Sequence, residues 1–96
     1  MYVIELTYVK PLEAVDALLP AHVAWLEEHY AAGHFLMSGR KVPRTGGIIF
    51  AARMERVALD KIIGNDPFNK EGVARYQIVE FVPTKAGAQF EALIER

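Results

Sequence analysis

The strands implied by this sequence are apolar on both faces, and this limits the possible folds more than any other feature. Tyr2 to Val9 has the β-branched and aromatic content of a strand, and Tyr2, Ile4 and Leu6 on one face oppose Val3 and Val9 on the other. Further along, Ile48 and Phe50 oppose Ile49, and Ile78 opposes Val79 and Phe81. A sheet of such strands hides one face under helices and has a second face that also needs cover. A chain of 96 residues buries a smaller share of its surface than a large one, so a second copy packed sheet to sheet is the economical cover. There is no cysteine, so no disulfide adds stability instead.

The order of elements narrows the fold further. Lys10-Pro11 ends the first strand, and Leu12, Val15, Leu19, Val23, Leu26 and Tyr30 then form one stripe at helical spacing, with Gly33 as the stop. Pro20 interrupts that stripe, and inside a helix it costs about 3 kcal/mol. The pattern therefore predicts a short turn at Leu12 to Ala17 and a main helix from Leu19 to Ala32, which places His22 near the helix start. Phe35 to Ser38 and Gly47 to Arg53 read as strands around a loop from Arg40 to Gly46. Glu55 to Ile63 reads as a helix stopped by Gly64, Tyr76 to Val82 as a fourth strand, and Lys85 to Glu95 as a C-terminal helix capped by Thr84. The order β-α-β-β-α-β plus a tail helix defines an α+β, ferredoxin-like fold with an antiparallel four-stranded sheet, occupying residues 1–96 as one domain and dimerising through its open face.

Composition removes several classes of function. The net charge of −1 is spread along the chain with no basic stripe, so no nucleic-acid partner is expected. The longest apolar run, Ile48 to Ala52, is far short of the roughly 20 residues of a membrane span. The first residues already read as a strand rather than a cationic leader, so a soluble, cytoplasmic protein is expected. Without thiolates, and with His22 and His29 about 10 Å apart along a helix, no metal site or other cofactor is expected. Gly39, Gly46 and Gly47 match neither a dinucleotide fingerprint nor a phosphate loop.

The chemistry-bearing residues converge once the topology is drawn. If the first strand rises, one end of the sheet collects His22, Ser38-Gly39, the basic hairpin residues Arg40, Lys41 and Arg44, and the corner Asn65-Asp66-Pro67-Phe68. Pro67 holds Asp66 in an extended conformation, so its carboxylate sits on a stiff corner suited to holding an imidazole in one tautomer. An Asp-Pro corner is also an ordinary helix stop, and a histidine beside an apolar stripe is often structural. Ser38 has no G-x-S-x-G elbow around it, Arg40 and Arg44 suit a carboxylate or phenolate, and Phe68 suits a pocket wall. His29 and His34 read as surface residues and Trp25 as core or interface.

Leu19-Pro20-Ala21-His22 with Trp25-Leu26, Gly33 to Gly39, Pro43 to Gly47 and Asp66-Pro67-Phe68 together resemble the YCII-related family of the dimeric α+β barrel superfamily. The resemblance implies a ferredoxin-like homodimer with sheets packed into a barrel, and a His22–Asp66 active-site dyad. Superfamily relatives include muconolactone isomerase and dehydrohalogenases of chlorinated rings. Arg40 stands where the family commonly carries proline in Ser-Gly-Pro. The resulting expectation is an enzyme in which His22, oriented by Asp66, moves a proton on a small cyclic or carbonyl substrate by isomerisation or elimination. Ser38, Gly39, Arg40, Arg44 and Phe68 would hold that substrate. The alternative is a noncatalytic dimeric module that binds a small metabolite in the same cleft.

Overall fold

The computed structural model describes residues 1–95. Four strands form one antiparallel sheet: β1 (Tyr2–Tyr8), β2 (Phe35–Arg40), β3 (Gly46–Ala51) and β4 (Ala74–Glu80), in the spatial order β2-β3-β1-β4. Helix α1 (Leu12–Ala31) connects β1 to β2, while α2 (Arg56–Gly64) and a single turn, α3 (Pro67–Lys70), connect β3 to β4. This is the ferredoxin-like α+β arrangement, with the two central strands paired to each other and the outer pair flanking them.

Register explains the burial. Ile4 lies opposite Ile49 on one side and Ile78 on the other, and Leu6 lies between Gly47 and Tyr76. Alternation turns Tyr2, Ile4 and Leu6 towards the helices, where they are buried with Ile49, Ala51, Val15, Trp25, Leu59, Ile63 and Phe68. Gly46 is required where β3 starts, because a Cβ there would sit 1.8 Å from the carbonyl oxygen of Leu6.

The opposite face carries Val3, Ile48, Phe50, Val79 and Met37 around Glu5, Thr7 and Gln77. Val79 is 53% exposed and Met37 47%. The two-faced apolarity of the strands is therefore real, and one face lacks cover among the described residues.

Helix α1 departs from expectation. It is one element of 20 residues that runs through Pro20, not a turn followed by a helix. Pro20 lies on the exposed side, and the helix is anchored on both sides of it by buried Val15 and Trp25. Each of those side chains contributes about 1.5–3 kcal/mol through burial, enough to outweigh the roughly 3 kcal/mol cost of an internal proline. His22 is accordingly in the middle of a long helix, not near its start. The C-terminal end is as expected: Gly33 takes φ +81°, its N–H donates to Tyr30 O, and the His34 N–H donates to His29 O, closing the last turn.

The C-terminal helix is a second correction. Only Ala88–Leu93 is helical, as a 3-10 segment preceded by Gly87 with no side-chain cap. Gly87 falls inside the expected helix, and so short a segment with no buried residue has too little packing to hold α geometry. The segment is tied back through Glu95, whose carboxylate accepts from the Met1 ammonium at 3.0 Å. His29 and His34 are also less exposed than expected. Both are half-buried, His29 against Trp25 and Phe35 and His34 against His29, with their Nδ1 atoms 3.0 Å apart. No described helix is long and apolar enough to cross a membrane.

Candidate active site

The local sequence after α2 builds the base of the site. Asn65 closes α2, and Pro67 then forces Asp66 into an extended conformation, φ −63° and ψ 124°. Asp66 becomes the N-cap of α3, with Pro67 at the first helical position, where its missing N–H costs nothing. One carboxylate oxygen accepts from the Phe68 backbone N–H at 3.0 Å.

The same oxygen lies 2.8 Å from Nδ1 of His22, which α1 projects down from above. The second oxygen accepts from the hydroxyl of Tyr76 on β4. Asp66 is fully buried, at 0% exposure, and every partner offers it a donor. A lone carboxylate so deep would cost several kcal/mol, whereas hydrogen bonds to a charged group return about 1.5–3 kcal/mol each. The carboxylate is held as an acceptor, so Nδ1 carries the imidazole hydrogen. Burial, followed by the bond to Asp66, pushes the pKa of the Tyr76 phenol well above its ordinary value and keeps it a donor.

His22 is 8% exposed and fixed by its faces as well as its edge. Its ring lies parallel to that of Phe68, with centroids 3.9 Å apart and planes 8° from parallel, and Trp25 lies against it at 5.5 Å. Trp25 is itself anchored by its indole N–H to Ile62 O at 3.0 Å. Among the described residues no buried side-chain nitrogen or oxygen lacks a partner, and Nε2 of His22 has no hydrogen bond. Nε2 is therefore accessible, and His22 lines the adjoining cavity.

That cavity, of about 330 Å³, lies between α1 and the β2-β3-β1 surface. Leu6, Leu19, Val23, Leu26 and Ile49 make its walls largely apolar. Of the residues expected at the site, His22, Ser38, Gly39, Arg40, Arg44 and Phe68 all line it, and Asp66 stands behind His22. Lys41 does not join them: it bonds Thr7 and Glu5, on the open face of the sheet.

The surroundings of three of these residues were not read from the sequence. Ser38 shares a hydrogen bond with the hydroxyl of Tyr30, Arg44 donates to Asp16, and Tyr76 completes the shell of Asp66. Splitting the helix at Pro20 hid Asp16, because a continuous α1 is needed to bring its first turns over the hairpin. Tyr76 carried a signal, an aromatic residue with a polar tip in a strand, but only the pairing of Leu6 with Tyr76 turns it towards Asp66.

The model of the YCII-related domain matches residues 1–82. The chain belongs to the YCII-related family. Among solved structures, this YCII-related chain is similar to the 5-chloro-2-hydroxyhydroquinone dehydrochlorinase of Burkholderia phenoliruptrix in complex with 2,5-dihydroxybenzoquinone. The TM-score is 0.72 at 19% identity, over 86% of this chain and 95% of the other. At that identity the likeness concerns the fold. No curated protein matches the YCII-related chain.

Proposed function

We propose that the chain is a small-molecule enzyme in which Nε2 of His22 is a general base, oriented through Nδ1 by Asp66, for elimination or isomerisation on a small cyclic or carbonyl substrate. The observation that carries this reading is an imidazole fixed on three sides in the wall of an apolar cavity, with its Nε2 accessible and without a hydrogen bond among the described residues. Imidazole is basic near neutral pH without extreme tuning. In an elimination, a substrate C–H or O–H proton passes to Nε2, the released electron pair forms a new double bond, and halide departs with its own bonding pair. In an isomerisation the same imidazolium returns the proton to a different atom. Ser38 and Arg40 hold the substrate oxygens, Phe68 and the aliphatic walls pack its ring, and the backbone at Gly39 and the bound Arg44 shape the mouth. The dehydrochlorinase with the same fold is an enzyme named for one such elimination, which favours that branch.

The working unit is proposed to be a homodimer in which the open sheet faces cover one another. The apolar cluster of Val3, Ile48, Phe50, Val79 and Met37 supports it.

Turnover of a panel of halogenated hydroquinols and lactones by wild type and His22→Ala tests the catalytic reading. A loss of about 10²–10⁴-fold is expected for the variant. Equal turnover by both proteins would remove His22 from the mechanism. Ligand-dependent thermal stabilisation with no product from any compound would favour the noncatalytic binding module.

A further inference from the structure

Two arginines line the cavity, and among the described residues only one of them has its charge matched. Arg44 donates to Asp16, another lining residue, and its guanidinium lies 5.9 Å from the centre of the Tyr8 ring. It braces the wall between α1 and the hairpin, and a carboxylate already sits against it. Arg40 also lines the cavity, but its side chain has no ion pair or hydrogen bond among the described residues.

Sheet register fixes where that cation stands. Ser38 pairs with Ile49 and Arg40 with Gly47, and Gly47 pairs in turn with Leu6. Ile49 and Leu6 face the helices, so Ser38 and Arg40 face them too, about 7 Å apart along β2. Gly47 brings no side chain to the floor between Leu6 and Arg40. The cavity therefore has a sheet side without a side chain at Gly47, aliphatic walls, a hydroxyl and a guanidinium along one edge, and His22 on α1. Its volume of about 330 Å³ is at the small end for ligand sites and suits one ring with its substituents.

We infer that this cavity takes a planar, single-ring monoanion, a ring carboxylate or an ionised phenol, whose anionic oxygen is bound by Arg40 beside Ser38. The inference rests on the reading of the cavity as the reaction site and adds the class of substrate. A guanidinium pairs with such oxygens through a planar fork. The matched pair of Arg44 and Asp16 offers no second free charge, so one negative charge suits the site and two do not.

The test measures affinity, so that it stands apart from turnover. The full chain is titrated with benzoate and with 4-nitrophenolate at pH 8, each against its neutral counterpart, benzamide and nitrobenzene, and Kd is read from backbone amide shifts. At least one anion is expected to bind wild type about ten-fold more tightly than its counterpart, and which anion does so identifies the oxygen source. Arg40→Gln should reduce that anion to the level of its counterpart and leave the neutral ring unchanged. His22→Ala should keep the preference, so loss of the catalytic reading and loss of the anion reading give different results. Equal binding of each anion and its counterpart by wild type, binding of none of the four, or a preference that survives Arg40→Gln would each overturn the inference.

Discussion

The imidazole of His22 lies flat on the ring of Phe68, with centroids 3.9 Å apart and planes 8° from parallel. Phe68 is only two residues beyond Asp66, which takes the Nδ1 edge of the same imidazole. One short turn, fixed by Pro67, thus grips a histidine 44 positions away by both face and edge. The remaining nitrogen is accessible and has no hydrogen bond among the described residues, in a side chain that lines the cavity.

Asp66→Asn keeps the shape of the corner but replaces an acceptor with a group that is half donor. The amide oxygen can still accept from the Phe68 N–H and from Nδ1 of His22, which share one carboxylate oxygen, so what is lost is the negative charge behind the imidazolium formed in turnover and the acceptor facing the Tyr76 hydroxyl. Turnover should fall by about 10²–10⁴-fold, and stability by about 1–3 kcal/mol in chemical denaturation. Full turnover alongside lost stability would make the pair purely structural.

Tyr76→Phe removes one donor to Asp66 and should cost about 1.5 kcal/mol at neutral pH, the low end for a bond to a charged group because Tyr76 is half-buried. The pH dependence has a definite sign. The phenol of Tyr76 has a raised pKa in the fold, so above about pH 10 the unfolded chain releases a proton that the folded chain keeps. Its stabilisation is complete below that pH and is lost as pH rises. Wild type should therefore lose stability more steeply than Tyr76→Phe above pH 10, narrowing the gap between them. Tyr2, whose pKa burial also raises, is common to both proteins and cancels in the difference. Parallel curves would contradict the assignment.

Much of this was legible in the chain, and the failures have physical causes. Alternation in Tyr2–Tyr8 and Gly46–Ala51 exposed both the sheet and its uncovered face, because a period of two is hard to disguise. The contact between His22 and Asp66 was legible because Asp-Pro-Phe is locally stiff, and because the topology brings that corner to α1. Pro20 misled, since a local propensity cost was given more weight than tertiary burial at Val15 and Trp25. That error moved His22 towards a helix end and concealed Asp16. The tail misled in the opposite way: Phe90, Leu93 and Ile94 fall at helical spacing, but Phe90 is exposed and the others only half-buried, so periodicity had little packing behind it. Tyr76 and Tyr30 needed pairing register and side-chain direction, which no single segment encodes.

Phe50→Asp places a charge at the centre of the open sheet face, opposite Val3 and beside Met37. Phe50 lies outside the helix-side core, so the fold should survive. Analytical ultracentrifugation should find wild type as a dimer and the variant as a folded monomer at the same concentration. A wild-type monomer would contradict the proposed assembly.

The central claim is that Asp66 holds His22 with its hydrogen on Nδ1 and a free electron pair on Nε2. Long-range ¹⁵N–¹H correlation spectra of the imidazole at pH 8 report this directly. The geometry predicts a protonated Nδ1 with an unprotonated Nε2 in wild type, and loss of that preference in Asp66→Ala, which leaves Nδ1 without its acceptor. A wild-type spectrum in which Nε2 bears the hydrogen would contradict it.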